Sequence, residues 1–244
     1  MKKKDTKEPI VVYWGFMTSE VRQTQVSLMW GAPVPLIQDI EAPEHTDIGE
    51  SYRACRGVNP FLKRTFMFLH PKTASVEIPD GLDEPVVWVS DFSAWRGRPS
   101  SIKDRLTIDY DYMFLFFCDE PLVAQQFPPF LHDTTADKTA SLATGEHDIH
   151  RWFRSLTPTY ILHKGKNRVN ITEGEPVFYI EFKTDRKVIL KQFEAIPEIT
   201  QIAKEVALHK QWFRFENLEK LYERFTGSNR HKRVSKLIHE NLLE

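Results

Sequence analysis

Short apolar segments separated by proline and glycine make up most of the sequence before residue 196. They are rich in β-branched and aromatic residues and have the length of strands, and helical spacing is almost absent among them. We predict strands at residues 10–16, 65–70, 85–90, 110–118, 159–163, 168–171, 177–182 and 187–193. This spacing predicts a mainly β fold, an antiparallel β-sandwich or jelly roll, over residues 10–193.

The strand predicted at residues 110–118 contains the run MFLFF, which is apolar at successive positions. Since side chains alternate between the two faces of a strand, such a run must be covered on both faces. We therefore expect this strand to lie between a second sheet and another layer of the protein.

The last part of the chain, residues 194–244, changes to helical spacing. Pro197 suits the first turn of a helix, Gly227 suits a left-handed cap at the end of a second, and Ser228 suits the N-cap of a third. Lys and Arg alternate with Glu in these helices, so nucleic acid binding is not indicated. We expect the helical segment to pack on the β-domain or on a partner, and residues 1–9 to form a flexible tail.

The composition is that of a soluble globular protein, because 41% of the 244 residues are hydrophobic and 27% are charged. The formal net charge of -1 gives no reason for attraction to nucleic acid or to an anionic membrane. No apolar run approaches a membrane span, and the start MKKKDTKEP lacks the apolar region of a signal peptide. Two cysteines, Cys55 and Cys118, do not form a disulfide framework and suit a reducing compartment. We expect a protein that is not secreted by a signal peptide.

A dense group of polar and aromatic side chains follows Gly145. A glycine lets the backbone approach a ligand closely, and a loop between strands can present polar side chains while an aromatic residue anchors it. If the chain binds a ligand or partner, we predict that the binding residues are Asp148, Arg151, Trp152 and Arg154, with His147 and His150 nearby. Further along, residues 164–167, KGKN, predict a hairpin between the flanking strands.

The same residues fit more than one role. The guanidinium groups of Arg151 and Arg154 could hold a phosphate or carboxylate through bidentate hydrogen bonds. Metal binding is not favoured, because strand alternation would direct His147 and His150 to opposite faces, and no metal or cofactor is predicted. In a purely structural role, Asp148 would pair with an arginine or with backbone groups, and Trp152 would fill a gap in the core.

Two spacings, Gly-x-x-Asp at residues 145–148 and Ile-x-x-Gly at residues 171–174, resemble the dUTP pyrophosphatase and dCTP deaminase jelly roll. In that family a Gly-x-Ile-Asp-x-x-Tyr loop binds the deoxyribose and base, and an Ile-x-x-Gly-Asp turn precedes a core strand. This chain has His147 in place of the Ile and Glu175 in place of the Asp. The resemblance implies, as an alternative, a jelly-roll enzyme of nucleotide metabolism.

Four further segments follow one another along the chain: Cys55 with NPFLKRTF at residues 59–66, the Phe-rich stretch 112–130, GxxDIxxWFR at residues 145–154, and GEPxFYxxF at residues 174–182. In this order they resemble an uncharacterised family of tailed-bacteriophage proteins, notably from marine and cyanobacterial phages, over most of residues 52–193. One departure is the pair at residues 57 and 58, Gly-Val, where a proline is expected after the cysteine. The resemblance implies a phage context and no particular mechanism.

No catalytic set of residues is evident in the sequence, and enzymatic activity stays an open question. Aromatic residues near arginines, at Trp88, Trp95 and Trp152, suit an exposed interface. With the phage resemblance, this predicts a non-enzymatic virion-associated, assembly or host-interaction β-domain. Its partner is predicted to be another protein or further copies of the chain, and its location the host cytoplasm or the virion.

Overall fold

A computed structural model describes residues 8–17, 31–40, 53–79, 86–89, 94–100, 102–111, 114–213 and 215–243. The strands in these ranges are β1 (Ile10–Phe16), β2 (Val34–Pro35), β3 (Thr65–Leu69), β4 (Ala74–Glu77), β5 (Val86–Val89), β6 (Ala94–Pro99), β7 (Leu106–Asp111), β8 (Phe114–Phe117), β9 (Val123–Phe127), β10 (Ala140–Leu142), β11 (Gly145–Asp148), β12 (Thr159–Leu162), β13 (Arg168–Ile171), β14 (Pro176–Phe182) and β15 (Val188–Gln192). The helices are α1 (Leu36–Asp39), α2 (Asn59–Lys63), α3 (Pro197–Trp212), α4 (Leu218–Thr226) and α5 (Asn229–Glu240). Most of the predicted tail at residues 1–9 lies outside the described residues.

The strands form several sheets, whose strand orders are β15-β1-β8, β10-β12-β7-β6-β5, β11-β9-β14-β3-β2 and β13-β4. Side chains from all four sheets meet in one apolar core, in a sandwich-like arrangement. The prediction of a mainly β fold with antiparallel sheets and a C-terminal helical segment is confirmed. One described strand pair departs from it, because β1 and β15 run parallel, with Ile10 opposite Val188.

Strand β8 is covered on both faces, as its apolar run predicts, and all four of its residues are buried. Phe114 and Phe116 point into the core between the sheets, whereas Leu115 and Phe117 point into a second core formed with the C-terminal helices. The sheet β15-β1-β8 is therefore the middle layer of the protein, with sheets on one side and helices on the other. The predicted strand at residues 110–118 is in fact the end of β7 followed by β8.

The predicted hairpin at residues 164–167 is wrong, although the turn exists. Gly165 has a φ of 73° and the amide of Lys166 donates to the carbonyl of His163, so the chain does turn here. However, β12 pairs with β10 and β7, while β13 pairs with β4 in a different sheet. The turn therefore carries the chain from one sheet into another. Leu162 before it and Val169 after it both face the common core.

The helical segment begins at Pro197, as predicted, and packs on the sheet β15-β1-β8 through the second apolar core. Ser228 is the N-cap of α5, since its hydroxyl accepts from the amide of Arg230. Gly227 follows α4 but has a right-handed φ of -73°, so the predicted left-handed cap is wrong. A Cβ on Gly227 would lie 2.8 Å from the carbonyl oxygen of Glu223, which accounts for a glycine at this position.

Candidate functional site

The predicted binding segment begins as a strand and not as a loop. Gly145–Asp148 forms β11, which pairs antiparallel with β9 at the edge of its sheet. Asp148 ends the strand, and its Oδ1 accepts hydrogen bonds from the amides of His150, at 3.1 Å, and Arg151, at 3.0 Å. The carboxylate therefore closes a tight turn immediately after the strand.

Arg151 connects this turn to the helical segment. Its Nε donates to Oδ2 of Asp148 at 2.6 Å, and its Nη1 donates to Glu219 at the start of α4. The guanidinium also lies over the ring of Tyr222 in α4, with Cζ 4.7 Å from the ring centroid. The hydrogen bond to Asp148 raises the pKa of Arg151. Arg151 thus joins one carboxylate of the β-domain to one of the helices.

The aromatic residues after this turn fill the boundary between sheet and helices. Trp152 is buried and meets Tyr222 edge to face, with ring centroids 5.2 Å apart. Phe153 is fully buried against Phe117 of β8. Arg154 lies over the Trp152 ring, its Cζ 5.0 Å from the centroid. These contacts match the structural role considered for the segment, while binding by it stays a prediction.

The two predicted histidines lie in different surroundings. His147 is on β11, opposite Ala124 of β9. His150 lies beyond the turn, where its Nδ1 is 3.0 Å from the carbonyl oxygen of Cys118 and its ring is 4.5 Å from that of His231 in α5. The pKa of His231 is lowered, first by burial and then by the neighbouring His150.

A second polar contact between the β-domain and the helices was missed in the sequence. Asp119, which follows β8, accepts from Ser235 Oγ at 2.6 Å and lies 2.9 Å from Nε2 of His239, both on α5. The hydroxyl of Tyr13 in β1 also forms a hydrogen bond with this carboxylate. Burial, and then the negative charge of Asp119, raise the pKa of Tyr13 to about 12. Ser235 and His239 are four residues apart on a helix, a spacing that places them on one face and could have indicated a shared partner.

Other residues of catalytic type in the described ranges are buried or lack a partner that catalysis would need. The Cys118 thiol is buried, which raises its pKa to about 11 and keeps it protonated. His132 lies between Asp39 and the hydroxyl of Tyr179, but the whole Tyr179 side chain is buried. Ser141 Oγ lies 3.1 Å from Nε2 of His163, which has no carboxylate partner among the described residues.

Metal-ligating and membrane-spanning features were also considered for the described part of the chain. No three His, Cys, Asp or Glu side chains there come together as a metal site. None of its helices is long and apolar enough to cross a membrane.

Two of the three tryptophans predicted to form an exposed interface are buried. Trp95 is buried, with its ring stacked 3.6 Å from that of Tyr110, and Trp152 is buried as described above. Their exposure was therefore predicted wrongly, because an arginine neighbour in the sequence does not show which face of a strand an aromatic residue occupies. The side chain of Trp88 lies outside the described residues.

Exposed apolar residues instead occur where α3 ends and α4 begins. Trp212 is 67% exposed and Phe215 is fully exposed, with exposed leucines on both sides. We call this surface the aromatic corner, formed by Leu208, Trp212, Phe215 and Leu218. Large exposed apolar patches on monomeric proteins often mark interaction sites, so this group of four neighbouring exposed residues is the strongest candidate surface in the described ranges.

Two ion pairs lie near the aromatic corner in the helical segment. Arg224 pairs with Glu216, with 2.6 Å between Nη2 and Oε1, and its guanidinium lies over the ring of Phe213 at 4.4 Å. Close by, Arg230 pairs with Glu205 at 3.1 Å. The charges next to the corner are thus of both signs.

No protein-family model matches this chain. None of the curated proteins is similar enough to count as a relative. The resemblances to phage proteins and to the nucleotide-enzyme jelly roll therefore stay predictions.

Proposed function

We propose that this chain is a non-enzymatic binding protein that associates with further copies of itself through the aromatic corner. The observation that carries the proposal is the full exposure of Phe215 beside the 67% exposed Trp212. A fully buried aromatic side chain removes roughly 150–250 Å² from water, so two of them supply the apolar centre that a stable interface needs.

The charges around the corner favour a second copy of the chain as the partner. A symmetric dimer brings the same patch of two molecules together, so the patch must be complementary to itself. A patch of one sign would repel its copy. Here Arg224 is paired with Glu216 and Arg230 with Glu205, so these charges balance and do not repel a second copy of the patch.

A non-catalytic role also agrees with the predicted site residues. In the nucleotide-enzyme alternative, the aspartate at position 148 would contact the nucleoside. Its carboxylate already accepts three hydrogen bonds within the chain, from two amides and Arg151. That use of the carboxylate leaves the enzyme as the weaker of the two proposals.

The phage context belongs to the same proposal and rests on the sequence resemblance. A self-associating β-domain with helices on one face would suit a virion-associated or assembly protein, located in the virion or the host cytoplasm. Mass spectrometry of purified virions tests this, since a high copy number of the chain would favour a structural role.

Light scattering coupled to gel filtration tests the self-association. The wild-type chain should have twice the mass of one chain or more at high concentration, and Trp212→Ser/Phe215→Ser should shift it to the monomer. Ile102→Ser is the matched control, because Ile102 is an exposed apolar residue outside the corner, and it should leave the mass unchanged. A wild-type chain that stays monomeric at all concentrations, or a double variant that still associates, would refute the proposal.

A further inference from the structure

A pocket of about 630 Å³ lies between α1, α2 and the residues that lead into β15. Its volume is within the range typical of small-molecule sites, roughly 300–1,000 Å³. It does not include the aromatic corner, the turn at Asp148 or the contacts of Asp119, so nothing described above uses it.

The inner wall of the pocket is apolar. Phe66 and Val188 are buried residues of β3 and β15, and Ile37 and Pro60 add apolar surface from the two short helices. Apolar walls of this kind favour the hydrocarbon or ring portion of a ligand, because its transfer from water is the main source of binding energy.

The rim of the same pocket is positive. Its charged lining comprises four cations, Lys63, Arg64, Arg186 and Lys187, and one carboxylate, Asp185. Arg64 and Arg186 are paired with carboxylates outside the lining, so the positive charge of the rim rests on Lys63 and Lys187. A local concentration of cations around an apolar cavity attracts an anionic group to the mouth of the cavity.

The two arginines are fixed in place by the fold. Arg64 donates from Nε to Glu181 at 2.7 Å, and the Glu181 side chain is almost completely buried. Arg186 donates from Nε to the carbonyl oxygen of Glu8 at 2.7 Å and pairs with Glu120 at 2.6 Å. Both guanidinium groups are therefore fixed and paired with carboxylates, Glu181 and Glu120, so they contribute little net charge to the pocket.

The two lysines are differently placed. Lys63 and Lys187 are exposed, and within the described ranges neither forms an ion pair. Their ammonium groups can each donate three hydrogen bonds and can move toward a bound anion at little cost.

We infer that this pocket binds a small amphiphilic anion, a molecule with one carboxylate or phosphate group on an apolar body. The apolar body lies against Phe66 and Val188, and the anionic group lies at the rim between Lys63 and Lys187. The inference is independent of self-association at the aromatic corner.

Isothermal titration calorimetry of the full chain with octanoate and with octyl phosphate tests the inference and separates the two anionic groups. 1-Octanol and octylammonium serve as neutral and cationic probes with the same apolar body. We expect one octanoate or octyl phosphate per chain, with affinity that falls as salt is added, and much weaker binding of the other two probes. Whichever anion binds more tightly identifies the head group.

Charge reversal at the rim gives the decisive comparison. Lys63→Glu/Lys187→Glu should weaken binding of the anionic probes about tenfold or more, since two attractive charges become repulsive. Lys164→Glu/Lys166→Glu is the matched control, because both lysines are exposed on the turn after β12, and it should bind like the wild type. The inference is overturned if no anionic probe binds, if 1-octanol binds as well as octanoate, or if both charge-reversed variants bind octanoate equally.

Discussion

Asp148 and Arg151 form an ion pair, with Arg151 Nε 2.6 Å from Asp148 Oδ2, where the β-domain meets the helical segment. The Asp148 side chain is only 10% exposed, and two backbone amides also donate to it. Removal of this carboxylate would leave buried donors without an acceptor, and a buried donor without an acceptor is more costly than the bond itself is favourable.

We expect Asp148→Ala to lower the free energy of unfolding by about 2 kcal/mol, because the turn loses its acceptor and Arg151 loses one of its two carboxylates. Urea denaturation measures the change. Glu146→Ala is the control, since Glu146 is exposed on the same strand, and it should be close to neutral. If Asp148→Ala kept full stability but lost the capacity to bind a ligand or partner, the residue would belong to a binding site and its structural role would be refuted.

Gly15 lies on β1 against Phe193, which leaves no room for a side chain at this position. A Cβ at this position would be 2.8 Å from the carbonyl oxygen of Phe193 and 2.9 Å from its ring. We expect Gly15→Ala to cost about 1–3 kcal/mol, the usual penalty for an overpacked core. Gly31→Ala is the control, because a Cβ there meets nothing within 4 Å. Similar urea midpoints for the two variants would show that Phe193 can move aside.

The sequence predicted the elements whose signal is local. The apolar run of β8 required two covered faces, and Phe114 and Leu115 do face different cores. Strands β6 and β9 were not predicted, because their sequences, AWRGRP and VAQQF, contain polar residues that do not favour strand formation. In β9 one of these residues, Gln126, is nevertheless buried, and only its place between β11 and β14 accounts for that.

The surroundings of the candidate site depend on contacts that are distant in the chain. A pairing of Asp148 with Arg151 could be considered from their spacing alone. The second carboxylate of that arginine, Glu219, is 68 residues away, and so is invisible to any local pattern. The aromatic corner is exposed for a similar reason, since helical spacing shows that α3 and α4 are amphipathic but not which apolar residues remain outside the packed face.

The N-cap of α5 offers a test of how firmly the helical segment is held. The hydroxyl of Ser228 accepts from the amide of Arg230 and donates to the carbonyl oxygen of Phe225 at 2.8 Å. Ser228→Ala should cost about 1 kcal/mol and speed amide hydrogen exchange in α5, whereas Ser228→Asp should restore protection because aspartate is also a good N-cap. Unchanged exchange in Ser228→Ala would mean that core packing alone fixes the start of the helix.

His70 makes the stability of the β-domain depend on pH. It is buried beside Tyr110, with its Nε2 2.9 Å from the phenol oxygen, and burial lowers its pKa from 6.5 to about 4. The unfolded chain therefore takes up a proton near pH 6.5 while the folded chain does not. Stability from this group is complete above pH 6.5 and is lost as the pH falls toward 4, by about 3 kcal/mol in total.

The slope of stability against pH between 6.5 and 4 isolates this contribution. His70→Leu should be less stable at neutral pH, because the hydrogen bond between the imidazole and the Tyr110 hydroxyl is lost, yet its stability should fall less steeply than that of the wild type as acid is added. The lowered pKa of His231 acts in the same direction in both proteins, and so do carboxylates that become protonated, so the difference between the two slopes belongs to His70. Urea denaturation at successive pH values gives both slopes. Parallel slopes would show that His70 becomes protonated at its ordinary pKa in the folded chain, and the proposed origin of the acid sensitivity would then be wrong.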